Sequence, residues 1–274
     1  MASDEDRGGT SATAVPPDEP AEILRAEALT KRFGSLTAVD RVSYTVRRHE
    51  VAGIFGSNGA GKTTFFNLLT GYYTPEEGAI WYKGRDITAS SVQERVALGM
   101  MRTFQLTSTF DNLSVVDNLV LAFFRAHETS SLWGMLFSTC RRHRNADRIV
   151  ATLETFDLAE LREKEVRHLS LGEKRRLEIA MSMLAEPEVL LLDEPLAGLA
   201  ESEIRNVLDV LGRQLGRQTI VIVEHKVSAV KEFVQHLVVM HEGRVIAAGG
   251  YDECMQHPEV RRSYWQIDTD GAQA

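Results

Sequence analysis

The sequence predicts an α/β fold, a sheet core flanked by helices and interrupted by one helical insertion. Three observations predict it. Strand-like and helix-like segments alternate along most of the chain, the pattern of crossover connections between parallel strands. The runs Leu190-Leu191-Leu192 and Ile220-Val221-Ile222-Val223 are short and apolar throughout, as strands buried on both faces of a parallel sheet require. From about 106 to 170 the alternation stops, and several helix-like segments follow one another with no convincing strand between them.

Taken in order, residues 1–20 hold Ser, Thr, Gly, Pro and acids with almost no large apolar side chain. Such a stretch cannot bury enough surface to order itself, so a disordered tail is expected. Strands are expected at 23–29, 42–46, 51–55, 79–82, 189–193, 219–223, 237–240 and 244–248, and helices at 61–69, 116–125, 147–156, 171–185, 201–215 and 228–234. No linker or internal repeat divides the body.

The 274 residues carry a formal charge of −8, and residues 1–22 supply −5 of it through Asp4, Glu5, Asp6, Asp18, Glu19 and Glu22 against Arg7. The body is therefore nearly neutral, which argues against a nucleic-acid binder acting through a general basic field. Cys140 and Cys254 are the two cysteines, too few for a disulfide framework. No apolar run reaches the ~18–20 residues that span a bilayer, and no basic segment leads into an apolar one at the N-terminus. A cytosolic protein is expected, held at a membrane only by another chain.

Gly56-Ser57-Asn58-Gly59-Ala60-Gly61-Lys62-Thr63, followed by Thr64, fits the P-loop pattern, directly after an apolar strand and opening a helix. Its glycines let backbone N–H groups face phosphate oxygens, Lys62 brings a point charge to the β and γ phosphates, and the Thr63 hydroxyl suits Mg²⁺. A plain glycine turn lacks that strand–turn–helix context. The run Val189–Asp193 then Glu194 ends a buried strand in two carboxylates, at the edge where parallel sheets hold ligands. Asp193 is the candidate to hold Mg²⁺ through water and Glu194 to orient and deprotonate an attacking water; alone, the pair reads equally as an acidic turn. His225 closes the next apolar strand at the same edge, where it can sense the γ-phosphate; a lone histidine there is more often structural.

Ser170, Leu171, Gly172 and Glu173 bring a hydroxyl, a glycine N–H and a helix N-terminus together, a second anion-binding arrangement, though judged alone an N-capped helix suffices. Two phosphate-binding ends and one nucleotide per chain suggest two copies meeting head to tail. Gln105 lies where core gives way to insertion, a candidate Mg²⁺ and water ligand. Phe33 precedes the turn at Gly34 and can stack on adenine, with Val39 beside it. The basic run 141–144 reads as a solvated helix end, and the apolar run 132–137 as core or as a docking groove.

The P-loop, Gln105, LSLGE, VLLLDEP and His225, in that order, resemble the ATP-binding cassette ATPases over residues 23 to about 250. Within them, MMRTFQLTSTFDNLSVVDNL, LSLGEKRRLEIAM, LLLDEPLAGL and VIVEHKVSAV are similar to the ATP-binding subunits of branched-chain amino acid importers. The resemblance implies a P-loop core with a mixed sheet, an antiparallel β-subdomain and a helical subdomain at about 106–185. These would lie within an ATPase domain at 21–250, with a short C-terminal extension at 251–274. It implies ATP and Mg²⁺ as ligands, and a homodimer or heterodimer with a second such ATPase subunit. It also implies permease subunits at the cytoplasmic face of a membrane, a substrate-binding protein outside it, and no nucleic acid. Three departures stand out: Leu171 and Glu173 where Gly and Gln are usual, Ala200 where Asp or Asn follows Leu, and Lys226 where Asp follows His. The rival readings are a urea or amide importer, a lipopolysaccharide exporter ATPase, a soluble ATP switch on the same cassette, and a P-loop kinase. A switch would ordinarily carry two cassettes or a coiled coil, and a kinase gives LSLGE no purpose.

Overall fold

The computed structural model describes residues 21–103, 109–127 and 144–265, of which His127, Tyr264 and Trp265 are described by backbone alone. The expected tail at 1–20, Gln105, Cys140, and the runs 132–137 and 141–143 lie outside the described residues.

Two sheets form. The first is antiparallel, in the order β2-β1-β4-β5, from β1 (Glu22–Phe33), β2 (Leu36–Arg47), β4 (Glu77–Tyr82) and β5 (Arg85–Asp86). The β1–β2 hairpin turns tightly at Gly34, whose left-handed φ of 61° suits a residue without Cβ. The second has the order β10-β9-β3-β8-β7-β6, from β3 (Val51–Gly56), β6 (Met100–Arg102), β7 (Val189–Asp193), β8 (Thr219–Glu224), β9 (His236–His241) and β10 (Arg244–Gly249). Its inner strands pair in parallel, and β10 runs antiparallel to β9. The sheet is therefore mixed, as expected.

Alternation of side chains divides the core into two layers. Leu190, Leu192, Ile220 and Ile222 face α3 (Val115–His127), α4 (Asp147–Thr155), α5 (Leu171–Met183) and α6 (Glu201–Gly212), packing with Leu119, Leu153, Leu177 and Val207. Leu191, Val221, Val223 and Ile54 face the antiparallel sheet and α1 (Lys62–Thr70), packing with Leu29, Val46, Phe65 and Phe66. Because β3, β7 and β8 are buried at every position, their continuous apolar runs are explained: neither face meets water.

Some elements differ from expectation. The segment expected as a helix at 228–234 forms only a 3₁₀ turn at Val227–Val230, whose two valines are drawn into the core. Helix α2 (Val92–Ala97), short strands β5 and β6, and helices α7 (Tyr251–Gln256) and α8 (Pro258–Trp265) are additional. A capping box starts α2, with Ser91 accepting from the Glu94 N–H and Glu94 accepting from the Ser91 N–H. This helix carries Arg95 into the interior, where its guanidinium donates to the carbonyls of Leu68 and Leu69, both at 2.7 Å. Both carbonyls lie in the last turn of α1, where intrahelical donors run out; that of Leu68 also accepts from the Gly71 N–H at 3.2 Å. Burial without a carboxylate partner lowers the Arg95 pKa to about 10.

Candidate nucleotide site and signature helix

The loop from β3 into α1 needs glycine where it turns. Gly59 and Gly61 have φ of 81° and 95°, both left-handed. A Cβ on Gly61 would meet the Ala38 carbonyl oxygen at 2.3 Å. The loop is clamped from the other side as well: Gly243 N–H donates to the Ala60 carbonyl at 3.0 Å, and Asp40 N–H to the Gly243 carbonyl at 2.8 Å. Gly61→Ala is therefore expected to destabilise by about 1–3 kcal/mol through backbone strain alone, with steric displacement of the loop added. Thermal denaturation against wild type checks it.

No side chain caps α1, and its first turn holds no acid. Its leading N–H groups and the positive end of its dipole thus remain for an anion. Lys62 is buried, and its Nζ donates to the carbonyls of Gly56 at 2.8 Å and Ser57 at 3.0 Å. Burial holds its pKa below that of an ordinary lysine, with Glu194, Glu224 and Asp193 pulling the other way. Thr63, Asn58 and Gly59 are exposed, Ser57, Gly61 and Thr64 half-buried, and Ala60 buried. Phe33 is exposed at the end of β1, in edge contact with Tyr73 at 5.4 Å between ring centroids. Val39 is wholly buried, so it backs the loop and offers no free face.

Strands β7 and β8 lie side by side with Asp193 opposite Val223, and Glu194 N–H donates to the Val223 carbonyl at 2.9 Å. The two candidate carboxylates and His225 therefore share one edge, as expected. Asp193 is buried, and its Oδ2 accepts from Arg102 Nη2 at 2.6 Å. Its Oδ1 is buried with no hydrogen-bond partner among the described residues. Burial raises the Asp193 pKa, and the Arg102 guanidinium opposes that rise. A buried carboxylate oxygen lacking a donor fits a hydrated divalent cation, and Thr63 supplies a further oxygen of the right kind. Glu194 adopts a left-handed φ of 45°, a conformation that a non-glycine residue holds only when its surroundings impose it.

Three residues beyond the expected set enter the geometry. Arg102 holds Asp193. Glu224, wholly buried at the end of β8, accepts from Leu196 N–H at 2.8 Å and from His225 N–H at 3.2 Å, so it ties the loop after Glu194 to the loop carrying His225. Burial raises its pKa. The His225 ring stays partly exposed, with Nδ1 3.8 Å from the Glu224 carboxylate, too long for a hydrogen bond. The third residue, Glu203, accepts from Ser170 Oγ at 2.9 Å and from Gly172 N–H at 3.0 Å.

Ser170 caps α5 through a capping box: Glu173 N–H donates to Ser170 Oγ at 3.2 Å, and Ser170 N–H to Glu173 Oε2 at 2.7 Å. Glutamate and glutamine both serve at that third helical position, which accounts for Glu173 where glutamine is usual. Leu171 is exposed. Helices α1 and α5 pack on opposite faces of the sheet, so one chain does not stack its signature on its own P-loop helix.

A P-loop following a buried central strand, with carboxylates ending the neighbouring strands, defines a P-loop nucleoside triphosphatase. The ABC transporter family matches residues 39–197 of this chain, and the chain belongs to that family of ATPases. The high-affinity branched-chain amino acid transport ATP-binding protein LivG of Salmonella typhimurium is 35% identical over 247 residues, covering 88% of this chain and 97% of the relative. The corresponding protein BraF of Pseudomonas aeruginosa shows the same identity and coverage, 35%, 88% and 97%. Among solved structures, the ADP conformation of MJ1267, an ATP-binding cassette of an ABC transporter, superposes with a TM-score of 0.77 at 30% identity, covering 90% of this chain and all of that one. Among the described residues no helix is long and apolar enough to cross a membrane.

Proposed function

We propose that this chain is the ATP-hydrolysing subunit of an importer of branched-chain or other hydrophobic amino acids, docked on membrane permeases at their cytoplasmic face. The permeases would in turn be served by a binding protein on the other side. The observation that carries the ATPase chemistry is the uncapped α1 N-terminus beside the Asp193–Glu194 edge; the near full-length likeness to LivG and BraF supports the cargo class.

In this reading Ser57, Asn58, Gly59, Ala60, Gly61, Lys62, Thr63 and Thr64 hold the phosphates of ATP, and Phe33 stacks on the base. Thr63, Gln105 and Asp193 would hold Mg²⁺, the aspartate through water, and the ion would supply charge neutralisation at the phosphates. Glu194 takes a proton from the attacking water, the water oxygen bonds to the γ-phosphorus, and the bond from that phosphorus to the β–γ bridging oxygen breaks, giving ADP and phosphate. His225 steadies the γ-phosphate. Ser170, Leu171, Gly172 and Glu173 cover the nucleotide of a second ATPase subunit, because α1 and α5 lie on opposite faces and neither completes a site alone. The ATPase domain spans 21–250, with 106–185 as its helical part and 251–274 as an extension.

The test is uptake of labelled leucine, isoleucine and valine in cells lacking the gene, complemented by the wild-type or the Lys62→Ala chain. Uptake is expected to fall on deletion and to return only with wild type. Purified Lys62→Ala is expected to stay folded without detectable Mg-ATP binding, since no other cation in the loop replaces that lysine. Unchanged uptake of all three amino acids would overturn the cargo class. Wild-type ATP affinity in the folded variant would overturn the P-loop assignment.

A further inference from the structure

The signature helix α5 differs from the P-loop helix α1 in one respect that matters for closure. The N-terminus of α1 is uncapped, whereas that of α5 already holds two carboxylates of its own chain. Glu173 closes the capping box from below. Glu203, which lies 33 residues from Ser170 in the sequence, reaches over from the first turn of α6 and accepts hydrogen bonds from the Ser170 hydroxyl and the Gly172 N–H on a single oxygen, Oε1, at 2.9 and 3.0 Å. Gly172 itself is shaped to this contact: a Cβ there would lie 2.9 Å from Glu203 Cβ and 3.0 Å from Oε1. The other oxygen, Oε2, rests on the Ala200 N–H at 3.2 Å, the start of its own helix.

We propose that Glu203 is a further residue of the ATP reaction: an internal anion that fills the signature of the separated subunit and is displaced by the γ-phosphate of the partner's ATP when the dimer closes. The inference rests on the head-to-tail reading given above. Ser170 Oγ has one hydrogen and Gly172 N has one, and both are engaged by Oε1. A phosphate oxygen taking either donor must evict the carboxylate, and a carboxylate left in place would sit against a like charge. Protonation does not relieve the conflict near neutral pH, because the bonds from Gly172, Ser170 and Ala200 hold the Glu203 pKa below the ordinary carboxylate value. The displaced carboxylate has somewhere to go. Ala200 N–H and the positive end of α6 can keep it after rotation toward its own helix start. Ala200 carries no polar side chain, so that N-terminus is left for Glu203. Ser170 and Gly172 are thereby held in order until closure, and the ATP concentration that drives closure is raised by the exchange.

The experiment measures ATP-driven dimerisation by light scattering in a Glu194→Gln background, where hydrolysis does not dismantle the product. Glu203→Ala added to that background is expected to lower the ATP concentration at half-dimerisation by about tenfold or more, the scale of losing a charge-assisted hydrogen bond that competes with the ligand. Glu203→Gln, which keeps shape and removes charge, is expected to shift it in the same direction by less, and it carries the test if the alanine variant does not fold. Nucleotide binding to subunits kept apart by Ser170→Arg is expected to be unchanged by Glu203→Ala. Glu201→Ala removes an exposed acid from the same turn of α6 and controls for charge in general. An unaltered or higher half-point in the Glu203 variants, or an equal shift in Glu201→Ala, overturns the inference. If Glu194→Gln alone binds ATP and never dimerises, the head-to-tail reading fails, and this inference fails with it.

Discussion

Glu194→Gln will lower steady-state ATP turnover by ~10²–10⁴, the usual loss for a positioned base, and will leave ATP binding intact. Glutamine keeps the size of the side chain and one acceptor oxygen but cannot take a proton from water. Nothing else at the edge is disturbed. Glu194 N–H still donates to the Val223 carbonyl, and the left-handed backbone at φ 45° is imposed by the turn that Glu224 braces through Leu196. Lys62 stays on the carbonyls of Gly56 and Ser57, and Asp193 stays on Arg102. Loss of a negative charge beside the γ-phosphate reduces repulsion, so the variant should accumulate as an ATP-bound dimer, visible by size exclusion. Single-turnover kinetics separate the chemical step from binding. Turnover within threefold of wild type would remove Glu194 from the role of base.

The sequence makes visible what depends on near neighbours. The P-loop is eight consecutive residues between an apolar run and a helix start, so local pattern suffices. The carboxylate edge is legible for the same reason: Leu190-Leu191-Leu192 and Ile220-Val221-Ile222-Val223 fix two buried strands, and their ends follow. What stayed hidden depends on residues far apart in the chain. Arg102 and Asp193 are 91 positions apart, and Ser170 and Glu203 are 33 apart. Strand β6 is only three residues, Met100–Arg102, too short for alternation to show, so nothing local sets Arg102 apart. Glu203, half-buried in the first turn of α6, carries no local pattern that points to Ser170. Helix α2 was not expected, although Ser91-x-x-Glu94 is a capping-box pattern, because the helix it opens is only six residues long. The 3₁₀ turn after His225 had the opposite fault: its apolar spacing suits a helix, but Val227 and Val230 are drawn into the core by a single 3₁₀ turn ahead of β9.

Arg102→Met will be among the most destabilising substitutions in the molecule when measured without nucleotide. The guanidinium lies 4.8 Å from the ring centroid of Phe66 and 5.0 Å from that of Tyr72, contacts that favour a flat cation. It donates to Asn67 Oδ1 at 2.7 Å on the P-loop helix and to Asp193 Oδ2 at 2.6 Å on β7. Methionine replaces much of the apolar packing but none of the charge. Asp193, with no side-chain exposure, is then a buried carboxylate with both oxygens unpaired, a situation that costs about 3–5 kcal/mol. For a chain of this size that corresponds to a fall of roughly 6–20 °C in the thermal midpoint. The sign of the pH dependence follows. Burial already raises the Asp193 pKa above its unfolded value, and removing Arg102 takes away the cation that opposes the rise. An acid with a raised folded pKa binds more protons folded than unfolded, so stability falls as pH rises from the unfolded pKa to the folded one. The deficit of Arg102→Met relative to wild type should therefore be full at high pH and shrink on acidification. Asp193→Asn introduced beside Arg102→Met removes the orphaned charge and should recover part of the lost midpoint, although Asp193→Asn alone, which unpairs Arg102, should not stabilise. Calorimetry of the four proteins across pH decides the matter. A wild-type midpoint in Arg102→Met, or a deficit that grows as pH falls, would show that this ion pair does not hold the carboxylate edge together.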